Sequence, residues 1–430
     1  MTKKIELFVC FGLGLFILAG CGKVNLPGQA PARTPIPTQT LFSPSEIPVR
    51  EEVIVTITPA SPTETELPPT PTPTLIPTLP PAGDFVDRGQ RLGLGWEIGL
   101  GDLDDDSDLD AVFFDYNHNN TVWLNDGQGH FTATGQQPGY SFRGALGDLD
   151  GDGDLDIFNV DVPHRGSVWL NDGSGQFVDS GQELTTRGCF KATLGDLDGD
   201  GDLDAYVACA EADSVWKNDG AGFFTSTGQR LGSAPTVAAA LIDLDSDGDL
   251  DVFTGGWDEP QKLWLNNGKA EFVDSGQRIA LPTTHIHAVA LGDLDDDGDL
   301  DAFLGLAGPA GCQVMRNDGA GVFSNWGPML ESQLTHSVAL GDLDGDGDLD
   351  AVTAHGQSDM GNGSGGRIWI NDGTGRFQPQ AATLGEAFSG AATLGDLDGN
   401  GNLDIVLSHG DQPVPAEVWL NQQAAVPTAP

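Results

Sequence analysis

The sequence predicts an all-β fold: a seven-bladed β-propeller of four-stranded antiparallel blades, in which the N-terminal strand completes the last blade. Three observations predict it. An acidic segment, Asp-Leu-Asp-x-Asp-Gly-Asp-Leu-Asp or a close variant, begins at Asp102, Asp148, Asp196, Asp243, Asp293, Asp342 and Asp396, so successive copies lie 46, 48, 47, 50, 49 and 54 residues apart. Between the copies run short apolar or alternating stretches such as Ala205-Tyr206-Val207-Ala208, separated by Gly, Asn and Asp clusters with no helical period. The segment from Phe85 to Leu92 reads as the last strand of a repeat, and Val418 to Asn421 reads as the penultimate strand of the seventh. The two ends therefore complete one blade, and radial repetition of this kind leaves few exposed sheet edges.

The chain begins with an export signal over residues 1–20, in which Lys3 and Lys4 precede an apolar run from Leu7 to Gly20 that is too short to span a bilayer comfortably. Leu18-Ala19-Gly20-Cys21 resembles the lipobox of bacterial lipoproteins. That resemblance implies lipidation of Cys21 and a mature protein anchored on the outer side of the cell envelope. Residues 21–83 are rich in Pro, Thr and Ser, as in Pro68-Pro69-Thr70-Pro71-Thr72-Pro73-Thr74, and form a disordered tether. At about 3.1 Å per residue in polyproline II, such a tether reaches roughly 150 Å from the membrane. The propeller occupies 84–421, and 422–430 form a disordered tail.

Charge excludes one class of partner. The chain carries 64 acidic against 19 basic residues and a formal charge of −45, a surface that repels phosphates and argues against nucleic acid. Cations suit it better. With Cys10 lost with the signal and Cys21 lipidated, Cys189, Cys209 and Cys312 remain in the mature fold. Cys189 and Cys209 flank one hairpin and either pair or stay reduced, while Cys312 is expected to be a lone buried thiol.

The acidic segments predict metal sites. In the second copy Asp148, Asp150 and Asp152 occupy positions 1, 3 and 5, Gly153 position 6, Asp154 position 7 through its carbonyl, and Asp156 position 9. Alternate carboxylates on a tight loop, with Gly at 6 for the turn, match the first half of a calcium-binding EF-hand loop. Here the loop closes at 9 and enters an apolar strand, so it joins two strands. The equivalent residues are Asp102, Asp104, Asp106, Asp108 and Asp110 in the first copy, and Asp196, Asp198, Asp200, Asp202 and Asp204 in the third. They are Asp243, Asp245, Asp247, Asp249 and Asp251 in the fourth, Asp293, Asp295, Asp297, Asp299 and Asp301 in the fifth, and Asp342, Asp344, Asp346, Asp348 and Asp350 in the sixth. The seventh has Asp396, Asp398, Asn400, Asn402 and Asp404. About seven Ca2+ ions are expected, bound most weakly in the first copy, where Ser107 replaces Gly, and in the seventh, where two Asn lower the charge. All-oxygen donors disfavour zinc.

These repeats resemble the FG-GAP or VCBS family, the calcium-bearing blades of integrin α-subunit propellers and of many bacterial surface proteins, over about 83–421. The resemblance implies that the acidic loop joins the first two strands of each blade and binds calcium. The Phe-Gly and Gly-Ala-Pro signatures of integrin repeats are not cleanly present, so an integrin-like ligand is not implied.

Trp123, Trp169, Trp216, Trp264, Trp369 and Trp419 hold one place in six repeats, with Met315 in the fifth, which suits packing between blades better than a sugar platform. Recognition is expected on the variable loops at the rim opposite the acidic segments. These carry Tyr116, His118, Tyr140, Phe142, Arg143, Trp257, Asp258, His285, His287 and the Gly-rich insertion from His355 to Arg367. His285 and His287 alternate as a metal pair would, but no third ligand accompanies them. The function expected is a non-catalytic binding or adhesion module for an extracellular protein or glycan. The alternatives are a propeller enzyme acting on polysaccharide, for which no acid–base pair is evident, and a structural envelope component.

Overall fold

The computed structural model describes residues 83–423 apart from 161–164, 185–187, 258–259, 280, 282–284, 308–310, 331–332, 357–364, 386–387 and 411. The leader, Cys21, the tether, Asp258, most of the insertion after His355 and the tail beyond 423 lie outside the described residues.

The strands run in chain order as β1 (Phe85–Arg91), β2 (Glu97–Gly101), β3 (Asp110–Phe114), β4 (Thr121–Asn125), β5 (Phe131–Ala133), β6 (Arg143–Gly147), β7 (Asp156–Val160), β8 (Gly166–Asn171) and β9 (Phe177–Leu184). Next come β10 (Cys189–Gly195), β11 (Asp204–Cys209), β12 (Ser214–Lys217), β13 (Thr225–Ser226), β14 (Thr236–Ile242), β15 (Asp251–Gly256), β16 (Gln261–Leu265), β17 (Val273–Ile279) and β18 (Ile286–Gly292). The last are β19 (Asp301–Leu306), β20 (Cys312–Arg316), β21 (Ser324–Leu330), β22 (Thr335–Gly341), β23 (Asp350–His355), β24 (Gly366–Ile370), β25 (Gln378–Leu384), β26 (Ala391–Gly395), β27 (Asp404–Ser408) and β28 (Glu417–Asn421).

They form seven four-stranded sheets. Blades 1 to 6 each take four consecutive strands from β2 to β25, and blade 7 has the order β1-β28-β27-β26. All pairings are antiparallel, and Phe85 lies opposite Asn421, so the first strand closes the last blade as the chain ends predict.

Contacts between blades make the core. The second strand of each blade is buried along its length, as in Asp110–Phe114 and Asp156–Val160. In blades 2 to 5 its aromatic side chain packs edge-on against the Phe at the start of the outer strand of the next blade, with Phe158–Phe224 centroids 4.9 Å apart and Phe303–Phe377 5.0 Å. The residue before each acidic segment is Gly for the same reason. A Cβ at Gly147 would stand 2.7 Å from Leu203 of the next blade, and one at Gly395 2.6 Å from Leu109. Blade 4 breaks the rule with Ile242, which is 2% exposed and fills the slot itself, and its neighbour Leu300 is left 42% exposed.

A second inter-blade device is a glutamine five residues after the outer-strand Phe. Gln90 donates to the Phe131 carbonyl and accepts from its N–H, and Gln182 does the same at Phe224. Blade 5 has Pro328 at this place and blade 6 has Ala382. Between blades 6 and 7 a groove of about 790 Å³ lies open, lined by Phe85, Ile370, Ala382, Leu384 and Trp419 among others. The repeated tryptophans pack in the third strands, Trp123 opposite Ala111 and Trp369 opposite Ala351, in keeping with a structural role.

Cys189 and Cys209 sit opposite each other in β10 and β11 and form a disulfide, resolving the alternative left by the sequence. Cys312 is a buried thiol outside the disulfide, its Sγ 3.3 Å from the Thr335 hydroxyl.

Candidate functional site

Each acidic segment connects the first and second strands of its blade, so all seven loops lie on one rim. Their geometry is set by the backbone. The position-9 carboxylate is fully buried and accepts two backbone N–H bonds: Asp110 takes Leu103 at 3.0 Å and Asn125 at 2.7 Å, and Asp156 takes Leu149 at 2.9 Å and Asn171 at 2.7 Å. The position-1 carboxylate accepts from the far side of its own loop, as Asp148 does from Gly151 and Gly153. Position 6 is left-handed throughout, with φ from 87° to 102° at the six glycines and 75° at Ser107, where a side chain is strained.

This folding gathers carboxylates that repel one another. In the first four loops the oxygens of positions 1, 3 and 9 lie within 4.8 Å of one another, for example those of Asp148, Asp150 and Asp156, and in the fifth those of Asp293, Asp295 and Asp297 do. The position-7 side chains turn away. Asp108, Asp154, Asp202, Asp249, Asp299 and Asp348 lie against the glycines of the neighbouring turns, leaving position 7 only its carbonyl to offer.

Electrostatics mark the clusters as incomplete. Burial, and then the neighbouring carboxylates, raise Asp104, Asp150, Asp245 and Asp295 above the usual range and take Asp344 to about 6. At position 9 burial, aided by the neighbouring carboxylates, outweighs two hydrogen bonds, raising Asp110 and Asp350 to about 7 and Asp156, Asp251 and Asp404 to about 6. One oxygen of the position-3 side chain is buried without a hydrogen-bond partner in six loops, at Asp104, Asp150, Asp198, Asp295, Asp344 and Asp398. A buried carboxylate oxygen left unpaired costs free energy that a cation would recover. The clusters therefore fit a hard metal ion bound through oxygen. In loops 3 and 5 a side chain already approaches: Lys217 meets Asp198, and Arg316 lies 3.1 Å from Asp295 and 2.6 Å from Asp297.

The loops are also stapled across blades by residues that sequence reasoning passed over. The Asn of each Trp-Leu-Asn-Asp-Gly turn sends its side-chain amide to the position-2 Leu carbonyl of the preceding blade. Asn125, Asn171, Asn218, Asn266, Asn371 and Asn421 do so at 2.8 to 3.0 Å. Asn317, at the joint distorted by Ile242, bonds Leu300 instead and leaves its Oδ1 unpartnered. The signal was present in the sequence as an Asn recurring at a fixed place in every repeat.

Family models agree with this geometry. The FG-GAP-like repeat model matches residues 102–158, 148–207, 196–254 and 243–304, and the FG-GAP repeat model matches 335–370. The chain is an FG-GAP repeat protein. No curated protein matches this FG-GAP propeller at a significant level. Among solved structures it is similar to the BP39L lectin from Burkholderia pseudomallei, at 14% identity over 77% of this chain and 97% of that one, with a TM-score of 0.55. It is also similar to BBS1N, solved in complex with ARL6DN, at 11% identity over 80% and 99%, with a TM-score of 0.52. At these identities the likeness is one of fold.

At the opposite rim the FG-GAP propeller closes its central channel with aromatic rings. Trp96, Phe142, Phe190, Trp257, His287, His336 and Phe388 form a continuous cycle, one from each blade, with successive centroids 5.3 to 6.3 Å apart and Phe388 returning to Trp96 at 5.8 Å. Trp96 also meets His336 at 5.8 Å, so the ring is drawn in rather than open. Of the predicted recognition residues, Phe142, Trp257 and His287 join the cycle and Tyr116 stacks on Phe142 at 5.6 Å. His118 turns to Asp115 at 2.9 Å. His287 accepts from Trp257 Nε1 at 3.2 Å, and its Nδ1 lies 3.5 Å from that of His336, so both of its ring nitrogens are turned to members of the cycle. Burial holds His287 near a pKa of about 4 and His336 near about 3, helped by the Arg143 charge. Trp96, Phe190, His336 and Phe388 were missed because each adjoins a strand start and reads as ordinary core.

Proposed function

We propose that this FG-GAP propeller is an exported, lipid-anchored, calcium-loaded binding module for an extracellular protein or glycan, and that it is not an enzyme. The orphaned position-3 oxygens carry the metal part of the reading. The residues that would hold each ion are the side chains at positions 1, 3, 5 and 9 and the position-7 carbonyl, with Asn400 at position 5 of the last loop. Calcium would neutralise the clustered carboxylates and lock the rim; the chain's own hydrogen bonds already place them. Loops 1 and 7 are expected to bind most weakly, and Lys217 and Arg316 compete with the ion in loops 3 and 5.

Recognition is assigned to the opposite rim, where half-buried aromatic rings from every blade meet. The disulfide supports an oxidising compartment, and the lectin name of a protein with the same fold supports asking about glycans first. The test is a calcium titration of the chain by calorimetry followed by a glycan and envelope-protein screen in calcium. Five to seven ions and a saturable ligand support the reading. Fewer than about three ions would overturn the calcium part, and turnover of a polysaccharide would overturn the non-catalytic part.

A further inference from the structure

We infer that the channel mouth opposite the acidic loops binds a carboxylated sugar residue, with the Arg143 guanidinium and the Trp96 indole N–H as donors to it; this rests on the reading of the chain as a glycan-binding module. The argument starts from a charge left unmatched. Arg91 pairs with Asp87 at 2.9 Å, Arg278 with Asp274 at 2.6 Å, and Arg316 with Asp295 and Asp297. Arg143, on the innermost strand of blade 2, has no carboxylate or hydrogen-bond partner among the described residues; its Nε is buried, and its guanidinium lies 5.5 Å over the Phe142 ring. In a chain of charge −45 an unpaired, partly buried guanidinium is a vacancy for an anion.

Trp96 is unmatched as well. The indole nitrogens of Trp123, Trp169, Trp216, Trp257, Trp369 and Trp419 all donate hydrogen bonds. That of Trp96, a residue only 9% exposed, is buried and donates to nothing among the described residues. Beside it Glu97 spends one oxygen on Lys191 of blade 3, while the other is buried without a partner. The mouth thus holds two donors and one acceptor, each buried and without a hydrogen-bond partner among the described residues, behind a wall of rings that a ligand must part to reach them.

A simple anion would satisfy the donors and leave Glu97 and the rings unused. A sugar acid matches all of them: its carboxylate accepts from Arg143 and Trp96, a hydroxyl donates to Glu97, and its C–H face lies on the aromatic wall.

The experiment uses the full chain in calcium, titrated with trigalacturonate and with neutral trigalactose, and read by tryptophan fluorescence and calorimetry. Tighter binding of the acid is expected. Arg143→Gln should weaken it about tenfold to a hundredfold and so remove the preference for the acid over the neutral sugar, and Trp96→Phe, which keeps a ring, should weaken it roughly threefold to tenfold. Retained calcium stoichiometry and melting temperature show that each variant folds. Equal binding of acid and neutral sugar, an unaffected Arg143→Gln, or binding only of a peptide with a free C-terminal carboxylate would overturn the proposal. A different glycan captured elsewhere on the ring would sink this site and leave the glycan-binding reading standing, whereas failure to capture any glycan or protein would sink both.

Discussion

At the acidic rim every blade repeats the same two backbone hydrogen bonds to its position-9 carboxylate, whereas at the opposite mouth the blades deliver their rings by different routes. Trp96, Phe142, Phe190, His287 and His336 stand six residues before their acidic segment, Phe388 stands eight before, and Trp257 comes from the end of the second strand of blade 4. The difference follows from what each rim must satisfy. Clustered carboxylates need oxygens placed to tenths of an ångström, and only a repeated backbone does that seven times. A plug of rings needs volume and an edge or face to meet, which several sequences supply.

The sharpest way to break this comparison is to remove calcium. Each site filled at a hundred times its dissociation constant contributes about 2.7 kcal/mol, so chelator should lower the melting temperature more than any single substitution; scanning calorimetry showing no change would mean that the acidic rim is not organised by metal. Opening the Cys189–Cys209 bridge by Cys209→Ala tests the other rim. Its loop spans 20 residues, and losing the closure should cost about 3 kcal/mol in denaturant unfolding.

The asparagine staples give an internal control. Asn171→Ala should cost about 1 to 2 kcal/mol by removing a bond to the preceding blade's loop, and Asn317→Ala, whose staple is already displaced, should cost less; equal losses would refute the role given to the staple.

Acid separates the rims too. Burial, and then the Arg143 charge and the neighbouring titratable histidines His285 and His355, hold His287 to a folded pKa of about 4 and His336 to about 3, below the ordinary 6.5. Unfolding therefore takes up protons, and the stability these residues contribute is full above about pH 6.5 and lost as pH falls towards 4. Replacing both by Phe should flatten that loss in the calcium-loaded protein. The smallest effect is expected at the first loop, where Ser107→Gly removes a left-handed strain of about 1 kcal/mol and should tighten its calcium site.

Periodicity and local chemistry made most of this legible. The spacing of the acidic segments gave the blade number, the matching chain ends gave the closure, and the alternation of carboxylates gave the clusters that could hold a metal ion. What stayed hidden was any property belonging to two blades at once. Nothing near Ile242 announces that it displaces Leu300, and nothing near Ala382 says that a missing glutamine leaves a groove beside Phe85.

By itself, then, the sequence determined the repeat, its strands and its acidic loops, because each is written within one stretch of about fifty residues. Only the tertiary structure decided which aromatic side chains meet in the channel, that the Arg143 guanidinium and the Trp96 indole nitrogen lack hydrogen-bond partners among the described residues, and that Cys189 lies against Cys209. Those outcomes depend on the angle at which seven sheets close, which sets distances between residues nearly three hundred positions apart, such as Trp96 and Phe388.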